Sequence, residues 1–432
     1  MQKNKIIKPL LTIFLLLLSY SSGYTCSMFK ITIGDKTIVG TNFDAYYTSP
    51  RIWFERALKP GTYGAGFSGG RISGVNEFAP QSGMNEVGLS FSRLATATPE
   101  KNIVDMSDKK TIPNECSYLK DILHTCKSIE EVQNYISQYN HSFFNEDVFI
   151  YVEKSGRYLI VEPYTLTTGN DANYVLSNFC PSVTDATHAN KLDRYRKGVE
   201  LLKIKADTTL EFCKTMSDSM HVCRNKIGDG TLLSSNWNSK DGIITLYFYH
   251  DYTHPIQFKL KEELGKGDHF FEIPKIFPPN EEFQRLLNYR IPQNTPALQY
   301  FLLFCGGLFS FTSIFFIFSF MRTRKSTSNS NIKLLFFPLG LIMAFYMFSL
   351  IRNLMIFYSP SPYKDYIFTI QNIAAYVPFL ILLLIIPLCL LNRRILKTNA
   401  WSNFSKLLLT TNNLTFIILI CLFCYWRLYS IF

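Results

Sequence analysis

From Ala297 to the last residue the chain carries four long apolar segments, about Leu298–Phe320, Leu334–Leu350, Phe368–Leu391 and Leu414–Tyr425, the last extendable to Phe432. A bilayer core of about 30 Å asks for about 20 apolar residues of helix, a need that the first three meet and the fourth meets only with its extension. Pro338, Pro378 and Pro387 inside these runs are tolerable in membrane helices, where neighbouring helices satisfy the freed backbone groups. One such run is compatible with a buried soluble core. Four in succession predict an all-α transmembrane region over 298–432, joined to the rest of the chain by a juxtamembrane linker at 281–297.

Charge sorts with these segments. The region from Ala297 onward holds eleven Lys and Arg against one acid, Asp365, and so contributes +10 to a formal total of +11. Three lysines near the start, Lys3, Lys5 and Lys8, contribute +3, which leaves residues 26–296 at −2. The basic balance is therefore a topology signal, and it gives nucleic-acid binding no support. The loop after the first segment holds Arg322, Arg324, Lys325 and Lys333, and the loop after the third holds Arg393, Arg394, Lys397 and Lys406. The intervening loop, with Arg352, Lys364 and Asp365, is less basic. Positive-inside reasoning puts the two basic loops in the cytosol, and the soluble region and the C-terminus on the non-cytosolic, periplasmic or extracellular side.

The N-terminus agrees. Lys3, Lys5 and Lys8 precede an apolar run from Pro9 to Leu18 and a small-polar stretch ending at Thr25, the layout of a cleavable export signal over residues 1–25. Cleavage after Thr25 leaves Cys26 as the first residue. A free α-amine titrates at about 7.7–8.0, so one residue then carries both a nucleophile and a base for it. A lipid-anchored cysteine is a competing reading, but such sites want a small residue just before the Cys, and here Thr25 follows Tyr24. An ordinary cysteine beside an uncleaved anchor is another.

Residues 26–280 read as the exported domain. Met28–Ile33, Gly34-Asp35 and Lys36–Val39 form a hairpin pattern with a short loop. Further strand patterns lie at Val87–Ser92, Val148–Val152, Tyr158–Val161 and Ile243–Tyr249, and helical patterns at Ser117–Lys127, Ile129–Tyr139 and Asn190–Ile204. Strands and helices cluster separately, which favours antiparallel α+β layering over a Rossmann alternation. An oxidising compartment permits disulfides; Cys116 with Cys126, or Cys213 with Cys223, are the near pairs, and the connectivity is open. There is no phosphate loop, GxSxG elbow, HExxH or zinc-spaced cysteine set, so no cofactor or metal is implied.

The opening Cys26-Ser-Met-Phe-Lys-Ile, the hairpin and then Gly40-Thr-Asn-Phe-Asp44 resemble the start of the N-terminal-nucleophile hydrolases of linear amides. That group takes in choloylglycine (bile salt) hydrolases, penicillin V acylases, acid ceramidase-like amidases and the isopenicillin N acyltransferase-like family. Gly83-Met-Asn-Glu-Val-Gly-Leu89 is similar to the family's GMNExGL segment, and Val152–Glu162 to its strand, Ser-Gly turn, strand, Glu hairpin. Tyr174-Val-Leu-Ser-Asn-Phe179 resembles the segment bearing the oxyanion asparagine, and Asp193-Arg-Tyr-Arg196 the element that opens a helix. The matches run in family order over residues 26 to about 265.

The resemblance implies an αββα four-layer sandwich and four roles. Cys26 is the nucleophile, its amine the proton shuttle. Asp44 orients that amine by a charge-assisted hydrogen bond. Asn178 donates its amide to the tetrahedral oxyanion. Arg194 supplies positive charge, with Arg196 as the alternative two residues on. Thr41 stands where bile-salt relatives have Arg, and the asparagine that some relatives place after GMNExGL falls near Ala95, where a backbone N–H is left to serve. Asn85 reads as a turn residue. Tyr46, Tyr47, Trp53 and Phe54 are candidates for an apolar acyl site.

These readings converge on an exported, membrane-tethered cysteine hydrolase that cleaves a linear, non-peptide carbon–nitrogen amide through a thioester. Its expected partners are a small N-acyl amide and membrane lipids, with self-association left open. An acyltransferase using the same nucleophile and a non-catalytic ligand-binding ectodomain are the alternatives. Transport is disfavoured by the near absence of ionisable residues within the spans.

Overall fold

The computed structural model describes residues 26–45, 49–72, 77–99, 103–224, 229–323, 331–353, 355–358, 374–399 and 401–429. The expected leader, 1–25, lies outside them. The chain divides into two compact units, with the boundary between Leu287 and Asn288.

Among the described residues, seventeen strands build the first unit. They are β1 (Ser27–Ile33), β2 (Lys36–Ala45), β3 (Arg51–Glu55), β4 (Ala65–Gly69), β5 (Arg71–Ile72), β6 (Phe78–Ala79), β7 (Ser82–Asn85), β8 (Ser90–Ala95) and β9 (Asp147–Val152). Then follow β10 (Tyr158–Val161), β11 (Leu166–Gly169), β12 (Asn173–Leu176), β13 (Cys223–Arg224), β14 (Asp229–Asn238), β15 (Ile243–Phe248), β16 (Asp251–Lys259) and β17 (His269–Glu272). One sheet runs β12-β1-β2-β14-β15-β16, with β13 paired to β14; the other runs β11-β10-β9-β8-β7-β4-β3-β17. The short β5 and β6 pair with each other. Every strand-to-strand ladder named here is antiparallel.

Each sheet buries its outer face under helices. Glu115–Thr125 begins at Asn114, whose side chain caps the Ser117 N–H at 2.9 Å. Its Tyr118, Leu119, Ile122 and Leu123 pack with Val132 and Ile136 of the Ile129–Ile136 helix onto Phe67, Phe91, Phe149 and Leu159 of the second sheet. On the first sheet, Phe29, Ile31, Ile38 and Val175 meet Cys213 and Met216 of the Leu210–Ser219 helix, with Tyr195 and Val199 of Asp193–Ile204 beside them. Period-2 strands and helices with contacts three and four apart thus make two apolar layers. The inner faces meet through hydroxyls: Thr41 of β2 bonds Ser92 of β8, and Ser82 of β7 bonds Ser235 of β14 at 3.1 Å. The order is helices, sheet, sheet, helices, the four-layer αββα arrangement expected.

The hairpin expected at Gly34-Asp35 forms with Gly34 at φ +60°, the conformation a two-residue loop asks of glycine. Gly40 has a different reason to be glycine: a Cβ there would meet the Phe29 ring at 2.2 Å and Asn236 Oδ1 at 2.7 Å. Two boundaries move. Val87 and Gly88 belong to a turn, with Gly88 at φ +89°, and the strand starts at Ser90. Glu281–Asn288, expected within a linker, is a helix whose Phe283 packs edge-on to Phe248 at 4.9 Å between ring centres.

Among its described residues the second unit contains four helices long and apolar enough to cross a membrane: Pro296–Arg322, Asn331–Arg352, Val377–Leu396 and Asn403–Tyr425. The fourth corrects the expected Leu414–Tyr425 by extending towards its N-terminal side, and Lys406 moves from a loop into its first turns. The polar run Thr410–Asn413 hides that extension in the sequence. Packed in the bundle, Asn412 accepts a hydrogen bond from Thr312 at 3.3 Å and Asn413 donates to the Leu388 carbonyl at 3.1 Å. Side-chain bonds between helices of this kind hold membrane bundles together. The expected start of the third span, Phe368, lies outside the described residues.

Candidate active site

Cys26 sits at the head of β1, between β12 and β2, and is almost completely buried. Because β12 runs antiparallel to β1 with Met28 opposite Leu176, the two residues after Leu176 arrive beside Cys26. Ser177 Oγ donates to the Cys26 carbonyl at 3.0 Å, and the Cys26 N–H donates to Asn178 Oδ1 at 2.9 Å. Asn178 Oδ1 also accepts from Arg194 Nη2 at 2.5 Å, while Asn178 Nδ2 donates to the Ala95 carbonyl at 2.6 Å. Flipping the amide would set its NH₂ against two donors, so the network fixes its orientation.

Arg194 enters from the first turn of the Asp193–Ile204 helix, buried, with Nε donating to Ser177 Oγ at 2.7 Å. Arg196, two residues on, is exposed and bonds Asp193 at 3.0 Å and Glu200 at 3.3 Å on its own helix. The choice between the two arginines falls to Arg194.

Asp44 is the penultimate residue of β2, buried, with Thr231 Oγ1 of β14 donating to Oδ1 at 2.5 Å. The Val222 N–H donates to that same Thr231 oxygen at 2.9 Å. Burial pushes the Cys26 thiol up to about 12, and the Asp44 charge adds to the rise. The backbone N–H groups of Asp44 and Ala95, which bond the sulfur, and the Arg194 charge act against it. A thiol at about 12 leaves on the order of one molecule in 10⁵ as thiolate at pH 7. In the uncut chain the Cys26 thiol is therefore held protonated.

The structure brings Cys26, Asp44, Asn178 and Arg194 together, and in the uncut chain their contacts differ from the expected ones. Asn178 holds the Cys26 nitrogen, where Asp44 was expected to, and its NH₂ is spent on the Ala95 carbonyl rather than directed at an oxyanion. The Ala95 N–H, supplied by the opposite sheet, joins the Asp44 N–H at the sulfur. Ser177 and Thr231 were not singled out from sequence; Ser177 lies in the segment that resembles the family, but Thr231 gives no signal of its own. Thr41, in place of an arginine, is buried on Ser92.

The other candidates are structural. Asn85 donates to the carbonyls of Leu123 and Cys126 at 2.9 and 2.8 Å and accepts from the Leu89 N–H at 2.9 Å, closing its turn against a helix end. Trp53 stacks on Phe67 in the second sheet's core, and Phe54 stacks on His269 at 5.2 Å, so neither lines the site. Tyr46 and Tyr47 lie outside the described residues. Neither expected disulfide forms: Cys126 and Cys213 are buried thiols, pushed up by burial to about 11 and about 12.

No family model and no curated protein matches the chain. Among solved structures it is similar to a conjugated bile acid hydrolase from Clostridium perfringens. An arginine-to-leucine variant of that protein shows 15% identity and a TM-score of 0.47 over 59% of this chain and 99% of the other. A cysteine-to-alanine mutant of it gives 15% and 0.46 over 60% and 97%. A penicillin V acylase from Agrobacterium tumefaciens gives 12% and 0.43 over 57% and 91%.

Proposed function

We propose that this chain, cut between Thr25 and Cys26, is an exported and membrane-tethered hydrolase of a linear amide. The observation that carries the reading is the surroundings of Cys26: a sulfur touched by two backbone N–H groups, beside a carboxylate and a guanidinium, with its nitrogen held by Asn178. An inert core cysteine has no use for that set.

In the cut protein the Cys26 nitrogen is an α-amine, of ordinary pKa about 7.7–8.0, in place of an amide. It accepts the thiol proton as sulfur attacks the substrate carbonyl carbon. The oxyanion forms next to the sulfur, where the Ala95 N–H already points. The carbon–nitrogen bond then breaks as the α-ammonium returns its proton to the departing amine, leaving a thioester on Cys26. Water, deprotonated by the same α-amine, attacks the thioester, releases the acid and restores the thiol. Arg194 and Asp44 fix the field around the sulfur, one of each sign. The four membrane helices keep the domain at a lipid surface, which suits N-acyl substrates with an apolar chain, and the charge asymmetry of the loops puts the domain on the non-cytosolic side.

The test is mass spectrometry of the mature N-terminus together with release of free acid from a panel of N-acyl amines. An N-terminus at Cys26 with acid release that vanishes in Cys26→Ala is expected. An intact leader on active protein, or full activity in Cys26→Ala, overturns the reading. Adding a primary amine to the assay shows any acyl transfer as a second product.

A further inference from the structure

Three different donor groups that no step assigned above uses converge from segments far apart in sequence. They are the thiol of Cys223 on β13, the imidazole of His250 in the turn between β15 and β16, and the carboxylate of Glu282 on the Glu281–Asn288 helix. Their ligand atoms all lie within 4.8 Å of one another, and His250 Nδ1 is 2.9 Å from Glu282 Oε2.

The backbone is bent to put His250 there. Tyr249 and His250 occupy a two-residue hairpin turn at φ +50° and +66°, where Asn-Gly is the usual occupant. Side chains with a Cβ are strained in that region. Packing holds the turn: Tyr249 lies edge-on to Phe283 at 5.1 Å, Asn280 Nδ2 donates to the Tyr249 carbonyl at 2.9 Å, and the His221 ring stacks on His250 at 5.6 Å.

We propose that Cys223, His250 and Glu282 bind a divalent cation of zinc type, a site separate from the reaction at Cys26. Sulfur, imidazole nitrogen and carboxylate oxygen are the donors zinc takes, and three of them leave the fourth tetrahedral position to water. Bonds of about 2.0–2.3 Å set ligand atoms about 3.3–3.8 Å apart, so the widest pair must close by about 1 Å. Rotation of the exposed Cys223 side chain supplies that movement. Binding takes the Cys223 proton and the proton shared by His250 and Glu282 into solvent.

The ion would tie β13, the strained turn and the last helix of the unit together. Cys223 follows Val222, whose N–H fixes Thr231, and Thr231 holds Asp44. Occupancy therefore stiffens the backbone that supports one of the charged groups beside Cys26.

The experiment is a titration of the full chain, in detergent and reductant after chelator treatment, with Co²⁺. One equivalent should bind and give a thiolate-to-cobalt charge-transfer band. Cys223→Ser should abolish the band, and Glu282→Gln should weaken affinity on the order of 100-fold. His250→Asn, which keeps a residue tolerant of positive φ, should do the same with the protein still folded by its thermal transition. Absence of saturable binding, binding without the band, or binding unchanged in Cys223→Ser overturns the proposal.

Discussion

Cys26 and Cys213 are both buried thiols of the first unit, and burial pushes both up to about 12. Cys213 lies among Phe29, Ile31, Ile38 and Met216, behind the sheet. Cys26 lies at the head of that sheet, among N–H donors, a carboxylate and a guanidinium. The raised pKa is common to the two and so marks neither as a nucleophile. The difference is whether the neighbours can respond when charge appears on sulfur, which aliphatic and aromatic side chains cannot.

Substitution breaks the pair most sharply. Cys26→Ala should lower acid release at least about 10³-fold, since the attacking atom is gone. Its thermal transition should stay close to that of the parent. Asn178→Ala removes the acceptor shared by the Cys26 nitrogen and Arg194, and should lower kcat by about 10²-fold in steady-state assays, within the range of positioned proton transfer. A parent-like kcat would return Asn178 to the status of a loop residue.

Alkylation kinetics compare the two thiols directly. In the uncut chain both should react slowly, with rates that climb tenfold per pH unit up to about 12, because each thiol is protonated below its pKa. Removal of residues 1–25 should bring Cys26 towards the ordinary value of about 8.5. That raises its thiolate population about 10³-fold at neutral pH while lowering intrinsic nucleophilicity, a net gain of about 50-fold or more. Cys213 should not change. Equal rates before and after the cut would remove the amine from the mechanism.

Smaller effects follow. Arg194→Lys keeps the charge but loses the two-point contact with Ser177 and Asn178, and should cost about tenfold in kcat/KM. Cys213→Ala should leave activity intact and lower stability by about 1 kcal/mol in denaturant melts, the scale of a lost buried sulfur. Were Cys213→Ala to reduce activity instead, the contrast between the two sites would be the wrong one.

Much of the architecture was legible because it rests on local rules. Gly34-Asp35 set a hairpin, separated helix and strand patterns set the layering, and apolar runs set the membrane helices. Strand β14 was missed because Ser234, Ser235 and Asn236 carry hydroxyl and amide groups where a core strand would be apolar; Ser235 meets Ser82 across the sheets, Ser234 bonds Asn42 on β2 and Asn236 accepts from Ser217 of the Leu210–Ser219 helix. The fourth membrane helix was shortened for the same reason at Asn412 and Asn413. The resemblance grouped Cys26, Asp44, Asn178 and Arg194, which the structure places near one another, but Ser177 and Thr231 come beside them only through the order β12-β1-β2-β14. Likewise, whether Asn178 gives or takes a hydrogen bond depends on which donors surround it, and spacing along a chain does not carry that.

A protonated sulfur sealed at the head of β1 also makes the uncut chain chemically quiet. Such a thiol is a poor target for oxidants and electrophiles as well as a poor nucleophile, since both kinds of chemistry run through the thiolate. A copy that has not yet been trimmed is then a bystander, neither damaging its surroundings nor damaged by them. On the proposed function, the amount of working catalyst would follow the cut after Thr25, and surplus synthesis alone would carry no penalty in stray reactivity.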